Sequence, residues 1–242
     1  MHVSLSRRVS AVIAALSAVV MLAGCGGQST PDLRTVTLTL IRHAESEANA
    51  AEEIASSAVP GPPLTDVGRE QAETLANKLS GGKYDGVFAS ELLRTQQTAE
   101  PMAKALGEQV TVLPGLNEIS AGWFEDLPLA DTSGTFLLGP EGWLNGDRRF
   151  GIPGSVNGNQ FNGAFTGAVQ KIYDSGADKP VAFSSGLSMM MWTLMNARNG
   201  KPTLLNDHPI PNVGRIVLTG NPVTGWDLKE WDGITNFSIE AD

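Results

Sequence analysis

Hydrophobic positions along the chain follow two different spacings. Short runs rich in β-branched and apolar residues are typical of strands buried in a sheet. The predicted strands are residues 36–41, 86–89, 110–113, 180–183 and 215–219. Longer segments whose apolar residues recur every three or four positions predict helices. The predicted helices are residues 66–79, 91–106, 161–174 and 187–198.

The alternation of strands and helices along the chain favours an α/β fold. We expect a three-layer sandwich with a mostly parallel central sheet and helices on both faces. In such a sheet the ligand lies beyond the carboxyl ends of the strands, so residues that directly follow a strand are candidates for the functional site. Thr65 is predicted to cap the first helix. The buried face of that helix is predicted to carry Val67, Ala72, Leu75, Ala76 and Leu79.

Residues 120–160 differ from the rest of the chain because they are rich in Gly, Pro and Asn and show little periodicity. A stretch of this length inside a compact domain is usually a functional lid or an insertion. We therefore predict one domain over residues 34–242 with an insertion near 120–160. Its aromatic residues are expected either to form an apolar wall over the site or to anchor the insertion to the core. They are Trp123, Phe124, Phe136, Trp143 and Phe150.

The first 24 residues have the pattern of an export signal. Arg7 and Arg8 precede an apolar run from position 11 to position 23 that is broken only by Ser17. This run is too short to span a bilayer comfortably, because a spanning helix needs about 20 apolar residues. The pattern therefore indicates a targeting segment, with a buried first helix as the alternative.

The single cysteine of the chain, Cys25, directly follows this apolar run and precedes a polar stretch. The arrangement resembles the lipobox of bacterial lipoproteins, in which the cysteine is acylated and becomes the mature N-terminus. We predict a lipoprotein signal peptide at residues 1–24 and a flexible tether at residues 25–33. The protein is then expected to be exported and anchored through Cys25 to the outer face of the cell membrane. A secretory signal cleaved without lipidation is the alternative.

The charge and composition narrow the possible partners. The formal charge of the whole chain is −9, and residues 1–24 contain two arginines and no acid, so the remainder carries −11. A body this acidic argues against nucleic acid as a partner. One cysteine excludes a disulfide framework or a multi-cysteine metal site, and three histidines are few for a multi-histidine centre. We expect no metal and no cofactor.

The first predicted strand ends in Arg42 and His43. A guanidinium group can bind a phosphate or carboxylate in a bidentate manner, while an imidazole can act as nucleophile, base or ligand. On its own the pair is equally compatible with a structural role.

Four sequence blocks, in the right order, resemble signatures of the histidine phosphatase superfamily, the phosphoglycerate mutase-like enzymes. Residues 42–49, which read RHAESEAN, resemble R-H-G-x-[ST]-x-x-N. Residues 63–72 resemble P-L-T-x-x-G-x-x-Q-A, and residues 90–99 resemble S-x-L-x-R-x-x-Q-T-A. Residues 116–125 resemble L-x-E-x-x-x-G-x-W-E, with Phe124 at the tryptophan position.

The resemblance implies a metal-independent phosphatase that works through a covalent intermediate on a small phosphorylated substrate. His43 would attack phosphorus and carry the phosphoryl group. Arg42 and Arg94 would bind the non-bridging oxygens, where negative charge is stabilised during transfer. Glu118 would protonate the leaving oxygen and then activate water. These groups must meet around one tetrahedral anion, with the imidazole within reach of solvent.

Other assignments implied by the resemblance leave alternatives open. Ser46 and Asn49 are expected to add hydrogen bonds to the phosphate pocket, with a simple turn role as the alternative for Asn49. The general acid varies in position within the superfamily. Glu125, Asp126 or another acid in residues 120–160 is therefore an alternative to Glu118.

The chain departs from the family pattern at Ser185. The family's second catalytic histidine lies in an S-H-G turn after a buried strand, and here that turn reads Ser184-Ser185-Gly186. Serine is shorter and uncharged, although its hydroxyl could still bind phosphate through a water molecule. His208, in the segment before the last predicted strand, is a candidate to compensate. Ala44 replaces the family's glycine after the nucleophile, which matters only if that position needs a positive φ.

Two functions from different classes follow. The first is a phosphomonoesterase that uses a phosphohistidine on His43 and is weakened by Ser185. The second is a catalytically impaired lipoprotein that binds a phosphorylated or other anionic ligand in the same pocket. Arg42, His43, Arg94 and Glu118 favour the first, while Ser185 favours the second.

Overall fold

The computed structural model describes residues 33–51, 57–128 and 134–237. The predicted signal peptide, Cys25 and nearly all of the predicted tether lie outside the described residues. Within the described ranges, no helix has both the length and the apolar character needed to cross a membrane.

A six-stranded sheet forms the centre of the molecule, in the order β3-β2-β4-β1-β5-β6. Its strands are β1 (Val36–Arg42), β2 (Val87–Ala89), β3 (Val110–Val112), β4 (Val181–Ser184), β5 (Arg215–Asn221) and β6 (Gly225–Trp231). Neighbouring strands from β3 to β1 pair in parallel, whereas β5 runs antiparallel to both β1 and β6. The expectation of a mostly parallel sheet is confirmed.

The sixth strand was missed by the sequence analysis, which ended the sheet at residues 215–219. β6 alternates buried Trp226 and Leu228 with more exposed residues, but the next buried residue is Trp231 rather than position 230. A register shift lies between Val217 and Leu218 of β5, which pair with Glu230 and Leu228. The bulge leaves Lys229 between the two pairs and breaks the period of two on which the prediction relied.

The helices are α1 (Glu47–Ala50), α2 (Asp66–Leu79), α3 (Leu93–Leu106), α4 (Leu138–Leu144), α5 (Gly158–Asp174), α6 (Gly186–Asn196) and α7 (Leu204–Asp207). Thr65 caps α2 as predicted, because its Oγ1 accepts a hydrogen bond from the backbone N–H of Gly68 at 2.9 Å. Val67, predicted on the buried face of α2, is 52% exposed. Gly68 takes that place instead, four positions before the buried Ala72.

Helices cover the sheet on both faces, as expected for a three-layer sandwich. On β1, Leu38 and Leu40 face one core cluster and Ile41 faces the other. The first cluster includes residues of α5 and α6, and the second includes residues of α2 and α3. This alternation follows from the period of two along a strand.

The segment 120–160, where little regular structure was expected, contains α4 and a short 3₁₀ turn at Gly122–Phe124. Trp143 is buried and stacks on Phe161, with ring centroids 5.6 Å apart. Phe136 is also buried, whereas Trp123 is 78% exposed. Phe136 and Trp143 therefore anchor this segment to the core, and Trp123 does not.

Candidate active site

Backbone contacts on two sides position Arg42 and His43 at the end of β1. The backbone N–H of His43 donates to the carbonyl of Ser184 at 2.9 Å, at the end of β4. The carbonyl of His43 accepts a hydrogen bond from Asn212 Nδ2 at 2.9 Å. Segments far apart along the chain therefore fix the backbone that carries the imidazole.

The hydrogen bonds of the His43 ring define its tautomer. Nδ1 lies 2.8 Å from the carbonyl oxygen of Ala44. A carbonyl can only accept, so Nδ1 carries the proton and Nε2 keeps a lone pair. Arg94 Nε donates to that Nε2 at 3.1 Å. The atom with nucleophilic character therefore faces a guanidinium group.

The protonation state of His43 follows from its surroundings. Burial lowers its pKa well below the usual value, and the positive charges of Arg94 and Arg42 lower it further. The hydrogen bond to the Ala44 carbonyl acts in the opposite direction but does not outweigh these effects. The imidazole is therefore neutral at pH 7, as a nucleophile requires.

The first turn of α3 brings Arg94 to His43. Thr98 Oγ1 donates to the Arg94 carbonyl at 2.7 Å and accepts from the backbone N–H of Ala44 at 3.0 Å. This hydroxyl ties the helix to the chain that leaves β1. On the other side, a Cβ at position 61 would lie 2.9 Å from Arg94 Nη1, so Gly61 permits close packing over the guanidinium.

The second guanidinium group belongs to Arg42. Its Nη1 donates to the carbonyl of Ile210 at 2.8 Å. A Cβ at position 186 would lie 3.0 Å from Arg42 Cδ, so the glycine that begins α6 leaves room for this side chain. Burial lowers the pKa of both Arg42 and Arg94, while the negative charge of Glu118 raises both. Two positive groups therefore act on the imidazole, and the charge of one carboxylate acts on both of them.

Glu118 is oriented by three donors that all reach one of its oxygens. Its Oε1 accepts from the backbone N–H of Ile119 at 2.8 Å, from the backbone N–H of Ser188 at 3.1 Å and from Ser188 Oγ at 2.6 Å. Ser188 was not predicted from the sequence. The available signal was a serine on a helix whose other residues are almost all apolar.

The alternative acids occupy different positions. Glu125 accepts hydrogen bonds from the backbone N–H of Ser57 at 2.5 Å and of Ala58 at 3.0 Å, and from Ser57 Oγ. Its charge also raises the pKa of Arg94. Asp126 is exposed, with a φ of 58°. Glu125 therefore lies next to the site, but its hydrogen bonds fix the loop at Ser57 and Ala58. Glu118 lies close to both arginines.

Ser46 and Asn49 contact each other within a capping box that begins α1. Asn49 Oδ1 accepts from the backbone N–H and the hydroxyl of Ser46, each at 3.2 Å, and from Asn212 Nδ2 at 3.2 Å. Because Asn212 also binds the His43 carbonyl, these residues support the nucleophile through the backbone. Asn212 was not identified from the sequence.

Ser185 directly follows β4 and precedes α6, where the family's second histidine was expected. The side chain is fully buried, and within the described residues its Oγ has no hydrogen-bond partner. Its neighbour Ser184 pairs with Arg42 across the β1–β4 ladder. His208 lies exposed after α7. The backbone of that loop reaches Arg42 through Ile210 instead.

Two further residues of the matched blocks anchor the loops around the site. Gln71 Oε1 accepts from the backbone N–H of Glu45 at 2.9 Å, and Gln97 Oε1 accepts from that of Leu64 at 2.8 Å. Ala44 does not need the family's glycine, because it is not among the described residues with positive φ.

The imidazole is less accessible than expected. His43 is 2% exposed and Arg94 is fully buried, whereas Arg42 and Glu118 are partly exposed. Arg94 contacts His43, but the imidazole is not within reach of solvent as expected, and the partly exposed charged side chains are those of Arg42 and Glu118. Over the described ranges, no three His, Cys, Asp or Glu side chains are grouped so that they could hold a metal ion.

Comparison with known proteins shows a relative that shares nearly half of the aligned residues with this chain. The PE-PGRS family protein PE_PGRS11 of Mycobacterium tuberculosis (strain ATCC 25618 / H37Rv) is 47% identical over 220 residues. The alignment covers 83% of this chain and 37% of that protein. The chain therefore spans little more than a third of the length of this relative.

Solved structures share the fold at lower identity. A mycobacterial glucosyl-3-phosphoglycerate phosphatase superposes with a TM-score of 0.67 at 20% identity, covering 83% of this chain and 100% of that one. Phosphoserine phosphatase of Entamoeba histolytica, solved with 3-phosphoglyceric acid, superposes with a TM-score of 0.65 at 22% identity. That superposition covers 82% of this chain and 98% of the other.

The family model described as "Histidine phosphatase superfamily (branch 1)" matches residues 38–233, which include every residue of the site built above. The chain therefore belongs to the histidine phosphatase superfamily, branch 1.

Proposed function

We propose that this protein is a metal-independent phosphomonoesterase that forms a phosphohistidine on His43 and whose rate is lowered by Ser185. The observation that carries the proposal is the state of the His43 ring. Nδ1 donates to the Ala44 carbonyl, and a neutral Nε2 faces Arg94. A buried, neutral imidazole between two guanidinium groups suits attack on a phosphate ester.

In the first step, His43 Nε2 attacks phosphorus and the bond from phosphorus to the ester oxygen breaks. Arg94 Nε must release Nε2 and move to a phosphoryl oxygen, where Arg42 also binds. Glu118 takes up a proton from solvent before the ester binds, donates this proton to the departing oxygen and becomes a carboxylate again. The Ala44 carbonyl stabilises the positive charge that develops on the imidazole, because it accepts the Nδ1 proton.

In the second step, the Glu118 carboxylate takes a proton from water as the water oxygen attacks phosphorus. The phosphorus–nitrogen bond breaks, inorganic phosphate leaves, and His43 returns to its neutral form. No group outside the chain is required for this sequence of proton transfers. The substrate class is a small phosphomonoester, which is also the class named for the phosphatases that share this fold.

Ser185 lowers the expected rate. The family's second histidine donates to a phosphoryl oxygen, and the loss of one such donor costs on the order of 10²–10³ in rate. The Ser185 hydroxyl is buried and has no partner in the described part of the chain, so it is available to the phosphoryl group or to a bridging water.

A second candidate function is binding of a phosphorylated or other anionic ligand without turnover. Two observations favour it: Ser185 replaces a catalytic donor, and Arg94 already occupies the lone pair of a nearly inaccessible Nε2. In that case inorganic phosphate would raise the melting temperature of the protein, while no phosphate ester would be hydrolysed.

The experiment that separates the two functions is hydrolysis of 4-nitrophenyl phosphate by the purified protein. The phosphatase is expected to release nitrophenol in the presence of EDTA and to lose this activity in His43→Ala. The matched control is His208→Ala, which removes an exposed imidazole and is expected to leave the rate unchanged. Activity that survives in His43→Ala would rule out the phosphohistidine mechanism.

We also propose that the protein is exported and lipid-anchored through Cys25. Arg7, Arg8, the apolar run and the only cysteine of the chain support this proposal. Cells grown with an alkyne fatty acid are expected to label the wild-type protein and not Cys25→Ser. Equal labelling of the two proteins, or none of either, would contradict it.

A further inference from the structure

Ser188 joins the candidate general acid, Glu118, to α6, the helix that follows Ser185. It is the third residue of α6 and is fully buried. Its hydroxyl lies 2.6 Å from Glu118 Oε1 and 3.0 Å from the Asn117 carbonyl oxygen, and its single hydrogen favours the nearer, charged acceptor. Its backbone N–H lies 3.1 Å from Glu118 Oε1. The backbone N–H of Ile119 contacts both the Ser188 hydroxyl and Glu118 Oε1, each at 2.8 Å. The carboxylate is therefore held by one oxygen.

The positive charges of Arg42 and Arg94 favour a position of the Glu118 carboxylate closer to the two arginines. Its negative charge raises the pKa of both Arg42 and Arg94, so it lies within the field of two cations. Among the described residues, however, Glu118 forms an ion pair with neither of them. Arg42 instead donates to the Ile210 carbonyl. Donors at the N-terminal end of α6 hold the carboxylate, where the helix dipole also favours negative charge.

We propose that Ser188 is a positioning residue that keeps Glu118 away from the two arginines. Two consequences follow. The Glu118 carboxylate then does not compete with a phosphoryl anion for the two guanidinium groups. In addition, Oε1 is occupied by donors, so Oε2 is the oxygen that exchanges a proton with the ester oxygen and with water. The second consequence rests on the proposed function, whereas the first does not.

The first consequence is tested by titrating inorganic phosphate against the full-length protein and measuring the dissociation constant by calorimetry. Ser188→Ala removes one charge-assisted hydrogen bond, so phosphate is expected to bind about tenfold more weakly. Ser188→Thr keeps a hydroxyl and is expected to bind as the wild type does. The double variant Ser188→Ala/Glu118→Gln has no carboxylate to compete for the arginines and is expected to recover the affinity.

The matched control is Thr193→Val on the same helix. The Thr193 hydroxyl is buried and has no partner within the described residues, so its removal is expected to leave phosphate affinity unchanged. Unchanged affinity in Ser188→Ala, or equal losses in Ser188→Ala and Thr193→Val, would overturn the proposal. Melting curves without phosphate identify any variant that fails to fold, and Ser188→Thr then decides whether the hydroxyl matters.

The second consequence is tested with two esters that differ in their need for an acid. Phenol is a poor leaving group that needs a proton, whereas 2,4-dinitrophenol leaves without one. Ser188→Ala is expected to lower kcat about tenfold with phenyl phosphate and by less than about twofold with 2,4-dinitrophenyl phosphate. Equal losses on both esters would indicate a merely structural role. If the wild type hydrolyses neither ester, the proposed function fails, and the phosphate titration still decides whether Ser188 restrains Glu118.

Discussion

At the scale of single residues, the main feature is that the surroundings of His43 favour the neutral form of its imidazole. Burial and two neighbouring guanidinium groups act in the same direction on its pKa. The same surroundings make the imidazole a poor place for a proton and a good place for the transferred phosphoryl group, which carries negative charge.

The lowered pKa of His43 predicts a pH dependence of stability. Between the folded-state pKa and about 6.5, the unfolded chain binds more protons than the native protein, so the free energy of unfolding falls as the pH drops through this window. We expect the wild type to lose more thermal stability than His43→Gln between about pH 7 and pH 5. Melting curves of both proteins across this range provide the measurement. Parallel curves would mean that His43 does not titrate abnormally.

Restoring the family's histidine at Ser185 predicts a gain of activity. Ser185→His is expected to raise kcat by about 10²-fold or more, because it returns a preorganised donor to the phosphoryl group. The comparison is Ser185→Asn, which adds bulk without an imidazole and is expected to give no such gain. Steady-state kinetics with 4-nitrophenyl phosphate measure both. A similar rate in the two variants would show that position 185 does not contact the phosphoryl group.

Glu125 and Glu118 are distinguished by the kind of ester that each substitution affects. Glu125 holds Ser57 and Ala58, so Glu125→Gln is expected to lower the rate by a similar factor with phenyl phosphate and with 2,4-dinitrophenyl phosphate. Glu118→Gln removes the proposed acid and is expected to slow phenyl phosphate more strongly. The ratio of the two rates in each variant measures this. The opposite pattern would assign the acid to Glu125.

The sequence predicted the charged residues of the site but not the residues that position them. Arg42, His43, Arg94 and Glu118 lie in recognisable blocks, and the structure brings all four together. The Ile210 carbonyl accepts a hydrogen bond from Arg42, and Asn212 donates to the His43 carbonyl. Ser188 donates to the side chain of Glu118. In each case the two partners are more than 65 residues apart in the sequence. Such contacts depend on tertiary packing and have no local sequence pattern.

At the scale of elements, α2 shows how one glycine sets the distance between a helix and the site. A Cβ at position 68 would lie 2.0 Å from the carbonyl oxygen of Glu45, which follows the nucleophile in the chain. The oxygen belongs to the backbone, so α2 or the chain leaving β1 would have to move. The glycine of the second matched block is therefore explained by close packing rather than by contact with a ligand.

Gly68→Ala is accordingly expected to destabilise the protein by about 1–3 kcal/mol, the usual cost of inserting a methyl group into a packed site. Gly163→Ala is the control. It lies within α5 with no atom within 4 Å of the added Cβ and is expected to stabilise by about 0.5–1 kcal/mol. Urea unfolding of the two variants measures both values. A Gly68→Ala protein as stable as the wild type would mean that the two segments separate easily.

The ends of helices were predicted correctly where nearby residues give a local signal for them. The start of α2 was predicted from Thr65, and α3 ends at the predicted position 106, before Gly107, which adopts a φ of 71°. α3 begins at Leu93 instead of position 91, since Leu92 has extended backbone angles. β6 was missed because a bulge breaks its alternation.

At the scale of the whole molecule, the layer order could be predicted because it depends only on the sequence of elements. Alternating strands and helices lead to a largely parallel sheet with a core cluster on each face, and the described structure has both. The extent to which loops bury the candidate site could not be predicted. It depends on how Gly61 and the loop held by Glu125 pack against Arg94, and no sequence period encodes that contact.

The net charge of the molecule and the charge of its site have opposite signs. The chain carries −9 overall, yet two guanidinium groups converge at the end of β1. The negative net charge therefore disfavours extended polyanionic partners, whereas the two local positive charges favour a single small anion.

The hydrogen bond from Asn212 to the His43 carbonyl affects when the candidate phosphate site can form during synthesis. The two residues are 169 positions apart, so the support that Asn212 gives to the nucleophile forms only after the segment before β5 has been synthesised. The hydrogen bond of Arg42 likewise requires the carbonyl of Ile210, which is 168 positions later. The site is thus complete only when this segment has packed against the end of β1.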